Sequence, residues 1–198
     1  GVYYFSAIQQ SNEDNMAQSK AVYHLSKYSL MTEVAFKTQV QEWKNILIRG
    51  NDAEQYAQYV SQFEETEQSV QQNLLHIKTI YESLQLDTAI IDKSIEQHQM
   101  LGEEYHAALD QFDATDSEAG KKVDASVRGI DRPFSETFVQ IQADIDDYYT
   151  TFNEQQAREI QKSTSMIQTQ FIIGFMIAAI IALVLAIVSS RQIIRPVR

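Results

Sequence analysis

The sequence has no cysteine, only two prolines and only six glycines in 198 residues. Without cysteine there is no disulfide framework, thiolate metal site or catalytic thiol. A sheet protein of this length needs many more turn residues than Pro133, Pro196 and six glycines supply, so helices are the expected element. Basic residues are also scarce, sixteen against twenty-seven acids. Neither a glycine-rich phosphate loop nor a nucleophile elbow is present, and no enzymatic activity is expected.

The longest uninterrupted feature is FIIGFMIAAIIALVLAIV, Phe171 to Val188, with no charged side chain. Eighteen helical residues cover roughly 27 Å, about the hydrocarbon thickness of a bilayer. Thr169, Gln170, Ser189 and Ser190 bracket a predicted span over 169–190. Arg191, Arg195 and Arg198 follow it, whereas the ten residues before it carry only Lys162. Basic flanks stay in the cytoplasm, so the preceding residues are expected on the outer side of the membrane. Taking those three arginines from the sixteen basic residues leaves thirteen against twenty-seven acids, a net of −14 outside. Such a surface does not neutralise a nucleic-acid backbone, and no nucleic-acid partner is expected.

Helical periodicity fills the rest, with three interruptions. At Arg49-Gly50-Asn51-Asp52, Gly50 suits a left-handed cap, and Asn51 with Glu54 resembles a capping box. At Leu86-Asp87-Thr88, Asp87 is a candidate cap. At Arg128 to Pro133, Gly129 closes one helix while Asp131 and Pro133 open the next. Between these breaks run apolar stripes. They are Val22, Leu25, Phe36, Trp43 and Ile46; Tyr56, Phe63, Val70, Leu74, Ile77 and Tyr81; Ile91, His98, Tyr105, Phe112, Ala119 and Val123; and Phe134, Phe138, Ile141, Ile145, Tyr149 and Phe152. The expected fold is all-α, an antiparallel up-down four-helix bundle over 11–168 whose last helix continues into the transmembrane helix. Its two distal breaks, at 50 and 130, meet at the far tip. Because that topology returns to the membrane, GVYYFSAI within residues 1–10 is read as the end of a truncated first transmembrane helix.

FKTQVQEWKNILIRGND, Phe36 to Asp52, and VRGIDRP, Val127 to Pro133, resemble the four-helix-bundle periplasmic sensor domains of methyl-accepting chemotaxis proteins, the bacterial transmembrane chemoreceptors. RQIIRPVR, residues 191–198, resembles the start of a HAMP linker, a module also found in sensor histidine kinases. The resemblance implies a homodimer that detects a small molecule, directly or through a periplasmic binding protein, and passes a displacement of its last helix through the membrane to the HAMP module. The sensor half of a membrane-bound histidine kinase is the alternative, and a haem- or metal-binding bundle a third.

The tip gathers Lys44, Arg49, Lys121, Lys122, Arg128 and Arg132. Guanidinium forks suit carboxylates, and the resemblance implies arginines near the distal end binding dicarboxylates or amino acids. Trp43, Lys44, Arg49, Arg128 and Arg132 are the candidate ligand contacts. Interleaved acids at Glu42, Asp52, Asp116, Asp124 and Asp131 allow plain ion pairing instead. Threading the hairpins places His24, His76 and His98 at one height, a geometry for metal or haem or for three separate boundary histidines. Glu103-Glu104-Tyr105-His106 holds one Glu-x-x-His, and a di-iron bundle needs two, so no cofactor is expected. Thr32, Gln39, Glu67, His98 and Asp116 make the stripes unusually polar, and FNEQQAREIQKSTSM before the span is nearly devoid of apolar residues. Weak packing there suits either a sliding signalling helix or a solvated, splayed end.

Overall fold

The computed structural model describes residues 2–193, with the side chains of residues 9, 10 and 12–189. The readings that rest on GVYYFSAI and RQIIRPVR lie outside the described side chains. Five helices follow in order: α1 Val2–Arg49, α2 Ala53–Ser83, α3 Ala89–Leu109, α4 Ala119–Ser126 and α5 Arg132–Ile193. The described residues contain no strand. The chain divides into two compact units, Gly1–Tyr149 and Thr150–Arg198.

In the first unit, ring contacts fix the register of neighbouring helices. Trp43 meets Phe63 at 5.9 Å while Tyr28 stacks on His76 at 4.5 Å, so α2 runs back along α1. Phe63 meets His106 at 5.8 Å while Lys78 pairs with Asp92 at 2.8 Å, so α3 reverses again. Phe134 at the start of α5 lies 4.6 Å from Phe36 and 4.9 Å from His98, and farther along Gln142 donates to Glu33 at 2.9 Å. The predicted stripes form the core: Val22, Leu25, Ile46, Phe63, Val70, Leu74, Ile77, Ile91, Phe134 and Ile141 are all buried. Tyr149 departs from its stripe and is half-exposed. Burial of the Tyr81 hydroxyl, reinforced by Asp144, pushes its pKa up to about 12, as a phenol that stays neutral in a packed seam.

The helix boundaries correct three expectations. Asp52, not Asn51, caps α2, and its Oδ1 accepts from the backbone N–H of Glu54 and of Gln55, each at 3.0 Å. Replacing Asp52 by alanine is expected to cost about 1 kcal/mol. A urea titration of the helical circular dichroism of the chain in detergent will read this as a lower midpoint. Gly50 has no left-handed backbone; only Gly129, at φ +80°, does so among the described glycines. Gly50 is needed for space, because a Cβ there would lie 2.5 Å from the Ile46 carbonyl oxygen and 2.8 Å from the Phe112 ring.

The third correction concerns the stripe from Ile91 to Val123, which is two helices and not one. Between them, Asp113 Oδ1 accepts from the backbone and hydroxyl of Thr115 at 2.9 and 2.7 Å, and Asp116 accepts from the Glu118 N–H at 2.9 Å. Short polar side chains thereby outcompete the helical ladder. The Asn51 side chain completes the loop, donating to the carbonyls of Ala114 at 2.7 Å and Asp116 at 3.0 Å. Ala119 and Val123 still reach the core, because α4 restarts on the same face.

Among the described residues, the second unit is the remainder of α5. Its first turns are polar, with Glu154 and Arg158 3.4 Å apart, and Thr169 donates back to the Ser165 carbonyl at 2.8 Å. Beyond them Phe171, Ile172, Phe175, Ile180 and Leu185 are all exposed. Among the described residues this is the one helix long and apolar enough to cross a membrane. Such a surface is costly in water and stable in lipid, and an α-helix satisfies its own backbone polar groups there.

Candidate functional site

The tip residues are distributed over several elements, and each has a distinct setting. Lys44, Leu47 and Ile48 of α1 and Gly120, Lys121 and Asp124 of α4 line a cleft of about 260 Å³. Gly120 permits the helices to approach, since a Cβ there would lie 2.0 Å from the Leu47 carbonyl oxygen. Lys121 also pairs with Glu118 at 2.8 Å, so the cleft offers two ammonium groups beside carboxylates.

Arg49 is held from below. Its Nη1 donates to Tyr59 Oη at 2.7 Å and to Asn45 Oδ1 at 3.1 Å, and the guanidinium lies 5.4 Å from the Tyr59 ring centre. These contacts pre-orient an exposed cation and leave further donors on the guanidinium. Arg128 approaches Asp124 at 3.8 Å, and Arg132 is exposed at the first turn of α5. Lys122 is paired with Asp116, which raises the lysine pKa and lowers that of the aspartate. Trp43 is buried, with its ring 4.3 Å from Tyr105 and 5.9 Å from Phe63. It supports the α1 turn that carries Lys44 from the core side. Tyr59 and Asn45 were not singled out by sequence reasoning. Their signal was the i, i+4 step from Asn45 to Arg49, whereas the reach to Tyr59 needs the α1/α2 register.

The histidines do not form one layer. His24 stacks on Tyr28 at 6.0 Å and Tyr28 on His76 at 4.5 Å, so a tyrosine separates them. His98 lies farther along α1, against Phe36 and Gln39. Threading misplaced it because a pairing that starts from the turns does not include the offset of α3 against α1. His98 Nε2 bonds to Gln39 Oε1 at 2.9 Å and its Nδ1 to Gln71 Nε2 at 2.7 Å. Those partners require the Nε2–H tautomer, donating to Gln39 and accepting from Gln71. Burial lowers the His98 pKa to about 4 and keeps the ring neutral. His106, from the Glu-x-x-His segment, bonds through Nε2 to Glu67 Oε2 at 2.9 Å. Among the described residues no group of three or more His, Asp or Glu side chains is placed to hold a metal ion.

A concavity of about 450 Å³ between Ile167 and Ala178 lies wholly on the apolar part of α5. It is the spacing between side chains of one helix, Ile167, Gln170, Phe171, Gly174, Phe175 and Ala178.

No protein-family model and no solved structure matches the chain. A curated protein does. The chain is 31% identical over 171 residues to the methyl-accepting chemotaxis protein CtpH of Pseudomonas aeruginosa, an alignment covering 82% of this chain and 28% of that protein. The chain therefore spans less than a third of that relative's length. The similarity extends over most of this chain, whose described residues are helical and include one helix long and apolar enough to cross a membrane.

Proposed function

We propose that this chain is the sensor segment of a membrane-anchored bacterial chemoreceptor. In this reading residues 11–168 are an antiparallel up-down four-helix bundle outside the cytoplasm, 169–190 cross the membrane, and 191–198 open a HAMP linker on the cytoplasmic side. The homology to a methyl-accepting chemotaxis protein carries the reading. The helical register supports it, since α1/α2, α2/α3 and α1/α5 each pair in opposite directions. So does α5, which is one unbroken helix from Arg132 to Ile193 and provides a covalent path from sensor to membrane.

A homodimer fits an unpartnered face of α1. Met16, Tyr23 and Leu30 recur every seven residues, with Val34 on the same face and Lys20, Lys27 and Lys37 also on it, all four apolar side chains being more than half exposed. Such an amphipathic stripe is a candidate contact face between two copies. The tip then holds the ligand, a small anion such as a carboxylate or amino acid, with Lys44, Arg49, Arg128 and Arg132 as contacts and Trp43 behind them. Arg49, already braced by Tyr59, is suited to a bidentate carboxylate contact.

A thermal-shift screen of small carboxylates and amino acids against the chain in detergent tests the ligand reading. The expected result is a rise in midpoint with at least one anion, lost in the double variant Lys44→Ala/Arg49→Ala. Were no anion to shift the midpoint, the tip site would be abandoned. Fusing residues 1–198 to the signalling half of a chemotaxis protein tests the receptor reading, with the ligand expected to bias swimming.

A further inference from the structure

A single buried imidazole ties three helices together. His98 of α3 has no exposed surface, yet with Gln71 of α2 it lines a groove of about 790 Å³ between α2 and α3. Gln71 Nε2 donates to His98 Nδ1 at 2.7 Å and to the Ile95 carbonyl at 3.4 Å. On the opposite edge of the ring, His98 Nε2 donates to Gln39 Oε1 of α1 at 2.9 Å. Gln39 is fully buried, and Gln71 is half-buried at the groove wall. The neutral ring is thus the middle link of a hydrogen-bond chain that runs one way, from α2 through α3 to α1.

Protonation conflicts with this chain at one end only. An imidazolium donates from both nitrogens. Gln39 Oε1 already accepts at Nε2 and needs no change, whereas at Nδ1 the Gln71 N–H would face a second donor. Turning the Gln71 carboxamide over brings its Oε1 to Nδ1 instead, a rotation about a broad, roughly two-fold torsion that a half-buried side chain can make. The same turn withdraws Nε2 from the Ile95 carbonyl. The other groups facing the ring, Phe36 of α1 and Phe134 of α5, are uncharged. Along the groove, Glu67 is engaged by His106 at 2.9 Å, and Glu103 and Asp110 line α3 beyond it. Burial is what opposes the charge, lowering the ring's pKa to about 4, so the exchange belongs to strongly acid surroundings.

We propose that Gln71, His98 and Gln39 form an acid-operated switch, in which proton uptake at His98 Nδ1 reverses the Gln71 carboxamide and exchanges its tie to the Ile95 carbonyl for one to the imidazolium. The proton enters from solvent along the groove and remains on the ring. The α2/α3 contact changes, while the bond from His98 to Gln39 stays. Gln71 is the positioning residue, because its Oε1 is the acceptor that lets the folded bundle hold the charge. Without that acceptor the second N–H of the imidazolium is buried and unpaired, which is costly. The switch lies within the first unit and depends on neither the ligand reading nor the receptor reading.

Nitrogen-15 NMR of the uniformly labelled full chain in nonionic detergent, titrated from pH 7 to about pH 3.5 with circular dichroism at each step, tests it. The variants His24→Gln, His76→Gln and His106→Gln assign the other imidazoles and leave His98 by elimination. At pH 7 the Nε2–H tautomer is expected. As the pH falls, His98 should gain its proton at Nδ1 before the helical dichroism is lost. The Gln71 side-chain amide signals, identified by their absence from Gln71→Leu, should shift in step with it. Gln71→Glu, an acceptor without an N–H, should raise the His98 midpoint by at least one pH unit. Gln71→Leu, which offers no acceptor, should lower it or leave the ring neutral until the chain unfolds. An Nδ1–H tautomer at pH 7, unfolding before His98 titrates, a Gln71 amide that ignores the titration, or a midpoint unmoved by Gln71→Glu would overturn the proposal. If that variant does not fold, Gln71→Leu decides, since an unchanged or higher midpoint would overturn it equally. No ligand binding or swimming response is read, so failure here leaves the receptor reading standing.

Discussion

Replacing Phe63 by alanine is expected to destabilise the first unit by about 3–5 kcal/mol, the range for deleting a fully buried ring. Phe63 has no exposed surface and sits where three helices meet. Its ring is edge-on to Tyr105 at 5.6 Å and to His106 at 5.8 Å, and tilted to Trp43 at 5.9 Å. The loss therefore combines lost transfer free energy, a cavity, and aromatic pairs worth about 0.5–1.5 kcal/mol each. Phe63→Leu keeps part of the apolar contact but loses the three ring pairs, and should destabilise less than the alanine variant. For a unit of this size the alanine variant should melt about 10 °C lower. A loss below 1 kcal/mol, measured by urea titration in detergent, would show that these rings do not form the packed centre described here.

The second large effect is a pH dependence centred on His98. Its ring is fully buried and neutral, with a pKa near 4 against an unfolded value near 6.5. Between those values the unfolded chain binds a proton that the folded one refuses, so stability rises with pH across that window. The contribution is complete above about pH 6.5 and lost as pH falls toward 4. At 1.36 kcal/mol per unit the loss is about 3 kcal/mol. The groups that face the ring are Gln39, Gln71, Phe36 and Phe134, none of which titrates. Glu67 and His106 line the same groove farther along. Carboxylates held low by their partners, Glu33, Asp92, Asp113 and Asp116, add losses only below the ordinary carboxylate range. The check is denaturant stability at pH 7 and at pH 4.5 for the natural chain and for His98→Gln. The variant is expected to be flatter across this interval. An identical slope in both would mean that His98 is solvated.

Much of the architecture was legible because it rests on local rules. An eighteen-residue uncharged run is long enough to cross a bilayer, and the 3.6-residue stripes name core residues such as Phe63, Ile77 and Ile141 before any partner is known. The errors arose where two local rules competed. Asn51 and Asp52 are both good caps, and the winner was decided by Asn51 finding the carbonyls of Ala114 and Asp116, more than sixty residues away. The stripe through Phe112 and Asp116 kept its period across a break, so periodicity alone did not reveal the loop at 110–118.

The sequence by itself therefore determined an all-helical, acidic chain with one membrane-competent helix and the residues that would be buried. Those properties depend on composition and on contacts within a few turns. Tertiary structure alone decided which polar groups meet: Arg49 with Tyr59, Glu67 with His106 over Gly102, and His98 between Gln39 and Gln71, not level with His24 and His76. The physical reason is that the offset of one helix along another is set by side-chain interdigitation summed over the whole interface. A shift of one turn changes every polar partner while leaving each helix's own apolar stripe the same.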